Sequence, residues 1–460
     1  MFPISRFCGR GPLFVAWTFA VFAGMLAASA VVAGPPAPRA RPVSNMGTIR
    51  ADRIRPVHAI GIPQFRVDAG SAKRLPAGAF QSVIAADLHV TGLFRPAMDA
   101  RVEAAHTAWL AKPSNFAPWA SAGAGLFCSA SYGVDAAGNL AADVRVYDAA
   151  SGQRVFGRRY DRGFSAARPE RLAHQIADDI IEHVAQEKGV SSTFIAFVSN
   201  RTSYKEIFAM EAAGSNAAQI TRENSLVTAP CWGARGAELY FTSYKRFNPD
   251  LMGVSLDGQK TWAISAHPGN NVSPDWCEAR GLLAAVLGKD GNQEIYLMDR
   301  GGKGMRRLTE GKTIDSSPAW TADGSKLAFV SNRGGSPQIY VMDVNGGNVR
   351  QASFSSRYCA SPAWSPDGSR LAYVAQVKGR FEIVMMDMRS GKTVQITRGP
   401  GNSEDPTWAP NGEYLAFAND RTGKFQIYRM RADGTNVIQL TSQGENTSPA
   451  WGPMPGGAGR

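Results

Sequence analysis

Residues 318–330 read Pro-Ala-Trp-Thr-Ala-Asp-Gly-Ser-Lys-Leu-Ala-Phe-Val. Ala319-Trp320 makes a short strand, and Asp323-Gly324 makes a hairpin turn because glycine adopts positive φ at no steric cost. Residues 326–330 alternate as a second strand, 332–337 turn the chain, and Gln338–Asp343 forms a third strand. After the turn at Asn345-Gly346-Gly347, residues 349–352 form a fourth. The next units repeat this grammar at 366–368, 371–374, 382–385 and 394–397, and again at 410–412, 415–417, 426–428 and 437–441.

The Pro-x-Trp element recurs with its Trp at 232, 276, 320, 364, 408 and 451, at spacings of 44, 44, 44, 44 and 43. Four antiparallel strands per 44 residues is the size of a propeller blade. One such sheet cannot bury both faces. Stacked radially, each covers the next, with the Trp as a large filler between blades.

The ends of the array show how the ring closes. Residues 194–200, Phe-Ile-Ala-Phe-Val-Ser-Asn, match the second strand of a unit, as in 327–332. The last element, Ser448-Pro449-Ala450-Trp451, matches a first strand. The C-terminal strand therefore completes the first blade. Six blades of 44 residues fit the stretch 192–453, and the expected fold is mainly β: a six-bladed β-propeller preceded by a small α/β domain.

Composition agrees. With 44% hydrophobic and 19% charged residues, a disordered or coiled-coil chain is excluded. The 48 Gly and 27 Pro in 460 residues favour turns and strands over a helical bundle. The net charge of +12 permits anionic partners, yet Lys and Arg are scattered and never form a run of four, so no nucleic-acid site is expected.

Residues 1–33 have the pattern of a secretory signal: Arg6 and Arg10, then a charge-free apolar stretch from Gly11 to Ala33. It is long enough to span a bilayer, so an uncleaved anchor is the other reading. Small residues offer cleavage after Ala30 or after Ala33. Residues 34–54 read as a Pro-rich flexible leader, 55–190 as the α/β domain, 191–453 as the propeller and 454–460 as a Gly/Pro tail. Within 55–190 the pattern gives a strand at 57–62, a helix at 80–90, a strand at 125–132 and a hairpin of 140–148 with 153–160. A helix at 168–188 carries the stripe Leu172, Ile176, Ile180 and Val184 and ends at Gly189.

Little in the sequence points to catalysis or to a metal. There is no Gly-x-Ser-x-Gly elbow, no His-Glu-x-x-His and no P-loop. His267 is the one histidine in the propeller. His174 and Asp178 stand i, i+4 and read as a surface helical pair, against a metal or general-base role. Cys128, Cys231, Cys277 and Cys359 lack metal-site spacing and read as buried thiols, although export permits disulfides. The Asp-Gly pairs at 323, 367 and 433 read as turns. No catalytic residue, metal or cofactor is expected.

What remains is a surface. The positions before each repeated Pro should ring the channel mouth: Thr228 and Ala229, Val272 and Ser273, Ser316 and Ser317, Ala360 and Ser361, Glu404 and Asp405, Thr447 and Ser448. This ring is small and hydroxyl-rich, with one acidic point. It suits a peptide or loop that takes hydrogen bonds, or it is ordinary loop polarity.

The intact Ser361-Pro362-Ala363-Trp364-Ser365-Pro366-Asp367-Gly368 resembles the blade motif of the TolB family, periplasmic propeller proteins of the Tol–Pal system. Three stretches of the N-terminal part resemble that family too: Ile62-Pro63-Gln64-Phe65, Thr91-Gly92-Leu93-Phe94 with the helix before it, and the run from Ala173 to Ile180. The resemblance covers about 55–453. It implies a monomeric, non-enzymatic periplasmic adaptor that supports outer-membrane integrity and constriction at cell division. The mouth ring would receive the lipoprotein Pal. A segment near 49–57, with Ile49, Ile54 and Val57, would engage TolA. The chain departs from the family pattern in its Pro-rich insert at 34–42. The competing reading is a periplasmic propeller hydrolase or lyase with an unrecognised site. If the signal is cleaved, mass spectrometry of the exported protein will find its N-terminus at Val31 or Gly34; an intact Met1 in the membrane fraction will show an anchor.

Overall fold

The apolar and β-branched runs read from the repeat form six four-stranded antiparallel sheets. The computed structural model describes residues 56–455, apart from 69, 72–74, 76, 77 and 355; the expected signal and leader lie outside the described residues. Blades II to VI run consecutively from first to fourth strand, beginning at Val227–Trp232, Asn271–Cys277, Asp315–Trp320, Cys359–Trp364 and Ser403–Trp408. Blade I takes its first strand from the end of the chain, Asn446–Trp451, which pairs antiparallel with Phe194–Ser199. The six first strands pack side by side around the axis, and that of blade I touches those of blades VI and II.

The first strands begin earlier than the sequence suggests. Each starts three residues before its Pro, and each changes register across the Pro, as between Ser316 and Ala319 in blade IV. The mouth positions therefore lie inside the strands, at a bulge. The fourth strands are short, only Arg350–Gln351 in blade IV. Trp320, Trp364, Trp408 and Trp451 are buried between blades. Trp232 and Trp276 are only half-buried, and their indole N–H groups bond to Ala450 O and Glu278. All four described cysteines are buried free thiols.

The N-terminal part is a sheet in the order β3-β1-β4-β5-β6, with a short β2 beside β4. Its strands are β1 (His58–Gly61), β2 (Arg66–Val67), β3 (Phe94–Ala97), β4 (Leu126–Val134), β5 (Leu140–Asp148) and β6 (Arg154–Tyr160). β1 is parallel to β3 and β4, and β4, β5 and β6 form an antiparallel meander. Helices α1 (Ala79–Val90) and α4 (Glu170–Ile180) share one apolar cluster with the sheet through Ile84, Leu88, Leu172 and Ile176. Two helices absent from the sequence reading, α2 (Ala100–Ala111) and α3 (Ala117–Ser121), cover part of the other face, where Trp119 stacks on Phe127 at 4.1 Å. Asp99 caps α2 by accepting from the N–H groups of Arg101 and Val102.

The last helix corrects two expectations. It ends in a π-helical turn, Ile181–Ala185, closed by Gln186 in the left-handed region (φ 58°) rather than by Gly189. Gly189 is needed because the chain passes so close to Asp178 that a Cβ would lie 2.4 Å from its Cα. His174 and Asp178 are not a surface pair but are both buried. Asp178 accepts from the N–H groups of Ser191 and Ser192, where the chain enters blade I. His174 lies between Asp87 of α1 at 2.7 Å and Glu211 of blade I at 3.2 Å. Burial alone would lower the His174 pKa, but the hydrogen bond to Asp87 and the Glu211 carboxylate beside the ring outweigh it and raise the value to about 10. Against its own burial, Glu211 is drawn down to about 2 by His174 and by Asn216 and Ser215.

The N-terminal part also meets blade VI, not blade I alone. Arg431 bonds to Glu187 at 2.7 Å, Asn436 to Val90 O at 2.9 Å and Asn411 to Lys188 O at 2.7 Å. Asn411 and Asn436 lie in connections between the first and second strands and between the third and fourth. Those connections are at the opposite end of the blade from the mouth positions.

The closure makes Trp451 decisive. Deleting residues from Thr447 onward will open blade I and lower the melting temperature of the whole propeller. Trp451→Ala alone should cost about 3–5 kcal/mol by denaturant titration. An unchanged melting temperature in the deletion variant would refute the latch. For His174, a pKa raised above the unfolded value of about 6.5 gives stability that is complete below that pH and is lost as pH rises through about 10. His174→Gln leaves Asp87 and Glu211 without the cation between them. It should therefore be less stable than wild type at pH 6, with the gap narrowing toward pH 10 in paired thermal melts.

Candidate functional site

The mouth is built by one repeated backbone device. The residue before each Pro has positive φ in all six blades: Ala229 50°, Ser273 54°, Ser317 49°, Ser361 48°, Asp405 51° and Ser448 50°. A following Pro disfavours the right-handed helical region, and left-handed backbone costs a non-glycine residue roughly 1–2 kcal/mol. Bulges of this kind re-aim side chains, and the repeat carries the same left-handed residue into all six blades. All twelve mouth positions are half-buried. The structure thus brings together every mouth residue expected from the sequence, on the face opposite the N-terminal part.

The ring is stitched at its acidic point. Asp405 accepts from Ser361 Oγ at 2.9 Å and from Ser448 Oγ at 3.2 Å, so blades V, VI and I are tied together there. Burial raises the Asp405 pKa despite these donors. Burial, and then the Asp405 and Asp420 carboxylates, push Glu404 up to about 8. Tyr358, in the loop leading to blade V, is also raised, by burial first and then by Glu404 and Asp405. The acidic point therefore carries less negative charge at neutral pH than its composition implies. A cation brought against it would draw protons off.

One titratable residue between first strands escaped the sequence reading. Asp275 stands in blade III between Pro274 and Trp276, and its Oδ2 accepts from the backbone N–H of Trp320 in blade IV at 2.7 Å. Burial pushes it up to about 7, against hydrogen bonds from the Trp320 and Trp276 N–H groups. Thr407 does the same work in blade VI, accepting from Trp451 N at 3.1 Å. The signal was present in the repeat: across Pro-x-Trp the middle residues are Cys231, Asp275, Ala319, Ala363, Thr407 and Ala450, and the Asp stands out.

Of the expected N-terminal segment, Ile49 and Ile54 lie outside the described residues. Val57 is 60% exposed just before β1. Among the described residues no group of three or more His, Cys, Asp or Glu side chains is placed to hold a metal, and no helix is long and apolar enough to cross a membrane.

Comparison with known proteins agrees with this architecture. Residues 49–155 match the TolB amino-terminal domain and residues 181–455 the TolB beta propeller domain. A TolB homolog of Chlorobium chlorochromatii is 33% identical over 262 residues, covering 56% of this chain and 58% of that protein. The Tol-Pal system protein TolB of Desulfosudis oleivorans is 34% identical over 174 residues, 38% of this chain and 39% of that protein. The chain thus spans about two fifths to three fifths of the length of these relatives. The crystal structure of TolB from Acinetobacter baumannii shares the fold, with a TM-score of 0.72 and 22% identity over 86% of this chain and 97% of that one. With the propeller family matched over more than half its length, this chain belongs to the TolB family.

Proposed function

We propose that the protein is a non-enzymatic, monomeric periplasmic adaptor of the Tol–Pal system whose mouth ring receives the outer-membrane lipoprotein Pal. The reading rests on the ring of six left-handed residues before proline. They hold small, hydroxyl-rich positions half-open around the channel, on the face the N-terminal part leaves clear. Backbone and hydroxyl groups held in this way suit a loop or peptide of a partner, with a basic side chain directed at Glu404 and Asp405. The segment 49–57 engages TolA, so the chain links Pal to the inner-membrane Tol complex. That link serves outer-membrane integrity and constriction during division.

The test is titration of purified Pal against mouth variants. Glu404→Lys with Asp405→Lys should weaken binding by about 2–5 kcal/mol if it leaves a partner charge buried and unpaired, and by much less at an exposed rim. Ser317→Trp should block the mouth by bulk. Circular dichroism controls for folding. Wild-type affinity in both variants would move the Pal site elsewhere.

A further inference from the structure

The hairpins between second and third strands all stand on the mouth face. In blades I, II, III, IV and VI the regular ladder stops at Ser199↔Glu206, Ser243↔Asp250, Leu287↔Glu294, Ser331↔Gln338 and Asn419↔Gln426, leaving six-residue loops. In blade V it continues unbroken to Val377↔Arg380. In blade II one further pair, Arg246↔Asn248, follows a register shift inside the loop.

The blade V ribbon turns through Lys378 (φ 50°) and Gly379 (φ 82°), a pairing suited to a two-residue hairpin loop. The blade II loop turns instead through Phe247, at the place held by Gly291, Gly335 and Gly423 in blades III, IV and VI. Its φ is 66°, in the left-handed region that a bulky side chain rarely adopts, and it is 98% exposed. Among the described large hydrophobic residues none is more exposed. Glycine or asparagine would fit this turn better, and neither would present an aromatic ring to water. The loop lies close beside the mouth: Thr242, which pairs with Thr228, also accepts from Ser273 N–H at 3.3 Å, and Phe247 N–H closes a turn onto Tyr244 O at 3.1 Å. Lys245 and Arg246 beside it are exposed and make only long ion pairs, with Glu223 at 3.9 Å and Asp250 at 4.0 Å.

We propose that Phe247 is an anchor outside the channel. It enters an apolar pocket, bordered by carboxylates, on the same partner protein whose loop occupies the mouth. This rests on the mouth reading above. Two features favour one partner for both contacts. The loop stands on the mouth face and joins the ring through Thr242, and its flanking cations call for an acidic border. A lone exposed aromatic has the form of an interface anchor, because most of an interface's energy sits in a few such residues.

The test uses the full mature chain and purified soluble Pal. Phe247→Gly should keep or raise the melting temperature, because glycine removes the left-handed strain, while Pal affinity falls about tenfold or more. A residue with a structural role would lose stability instead. Lys245→Glu with Arg246→Glu should slow association and flatten its salt dependence. If Ser317→Trp abolishes Pal binding and Phe247→Gly leaves it unchanged, the mouth reading stands and the anchor falls. If wild type does not bind Pal, the mouth reading falls and takes the anchor with it. Two further results would overturn the proposal while Pal binding persists: loss of self-association in Phe247→Gly by sedimentation, pointing to a second copy, or loss of binding to anionic phosphatidylglycerol vesicles, pointing to a lipid surface.

Discussion

The indole N–H of Trp451 bonds to Thr193 Oγ1 at 2.8 Å, and at that contact a row of sheets becomes a ring. Every blade has two apolar faces that only its neighbours can cover, as Leu327 and Phe329 of blade IV pack on blade III while Ala328 and Val330 pack on blade V. An open row of six would leave two such faces in water, with unpaired strand edges beside them. The chain avoids this by giving blade I a first strand from its far end, so that no covalent order in the row corresponds to a first or last blade in space. The apolar cluster that includes Trp451 shows the result. It joins Ile195, Phe197 and Met210 of blade I to Tyr414, Ala416 and Ile427 of blade VI, residues about 200 positions apart. Contacts of that sequence separation form late and form together, so the stability of each blade depends on the seam.

Much of this was legible because a propeller repeats its chemistry. A Trp every 44 residues, with a turn at a fixed offset, over-determines the strands between. The offset between residues 194–200 and the repeat even revealed the latch. The bulges were not legible, since no side chain at Ser317 or Ser361 announces a left-handed backbone. Their position before Pro appears as a cause only once the register shift is seen. The N-terminal part lacks a repeat and was read less well. Helix α2 is Ala-rich and its apolar side chains form a weak stripe, so Val102, Ala105 and Trp109 did not stand out as a buried face.

Helix α4 failed in the opposite way, by being too clearly amphipathic. Its stripe of Leu172, Ile176 and Ile180 faces the sheet, and the polar positions fall on what a two-layer domain would leave in water. Here that second face is covered as well. Asp178 and His174 are polar because they meet backbone N–H groups and carboxylates at the junction, not because they meet solvent. A sequence cannot distinguish a polar face turned to water from one turned to another polar surface. The burial of Asp178 and Asp179 therefore had to come from the structure.

The polarity of that junction follows from which end of the propeller it uses. Connections between first and second strands and between third and fourth are short turns rich in Asp, Asn and Gly. A body docked on them gains specificity from hydrogen bonds. Asn436, at φ 51° in such a turn, reaches the Val90 carbonyl at the end of α1. Gly92 admits it: a Cβ there would lie 2.7 Å from the Asn436 side chain. Arg431 serves the same end at larger scale, its guanidinium reaching Glu187, Tyr414 and Thr91 O from one buried position. Such a seam has little tolerance for a shift in register, because a buried unpaired group costs about 1–3 kcal/mol. The mouth, at the other end of the same blades, uses its polar groups differently. It holds hydroxyls and carboxyls half-buried inside the first strands, with Asp405 bridged by Ser361 and Ser448 from the blades on either side.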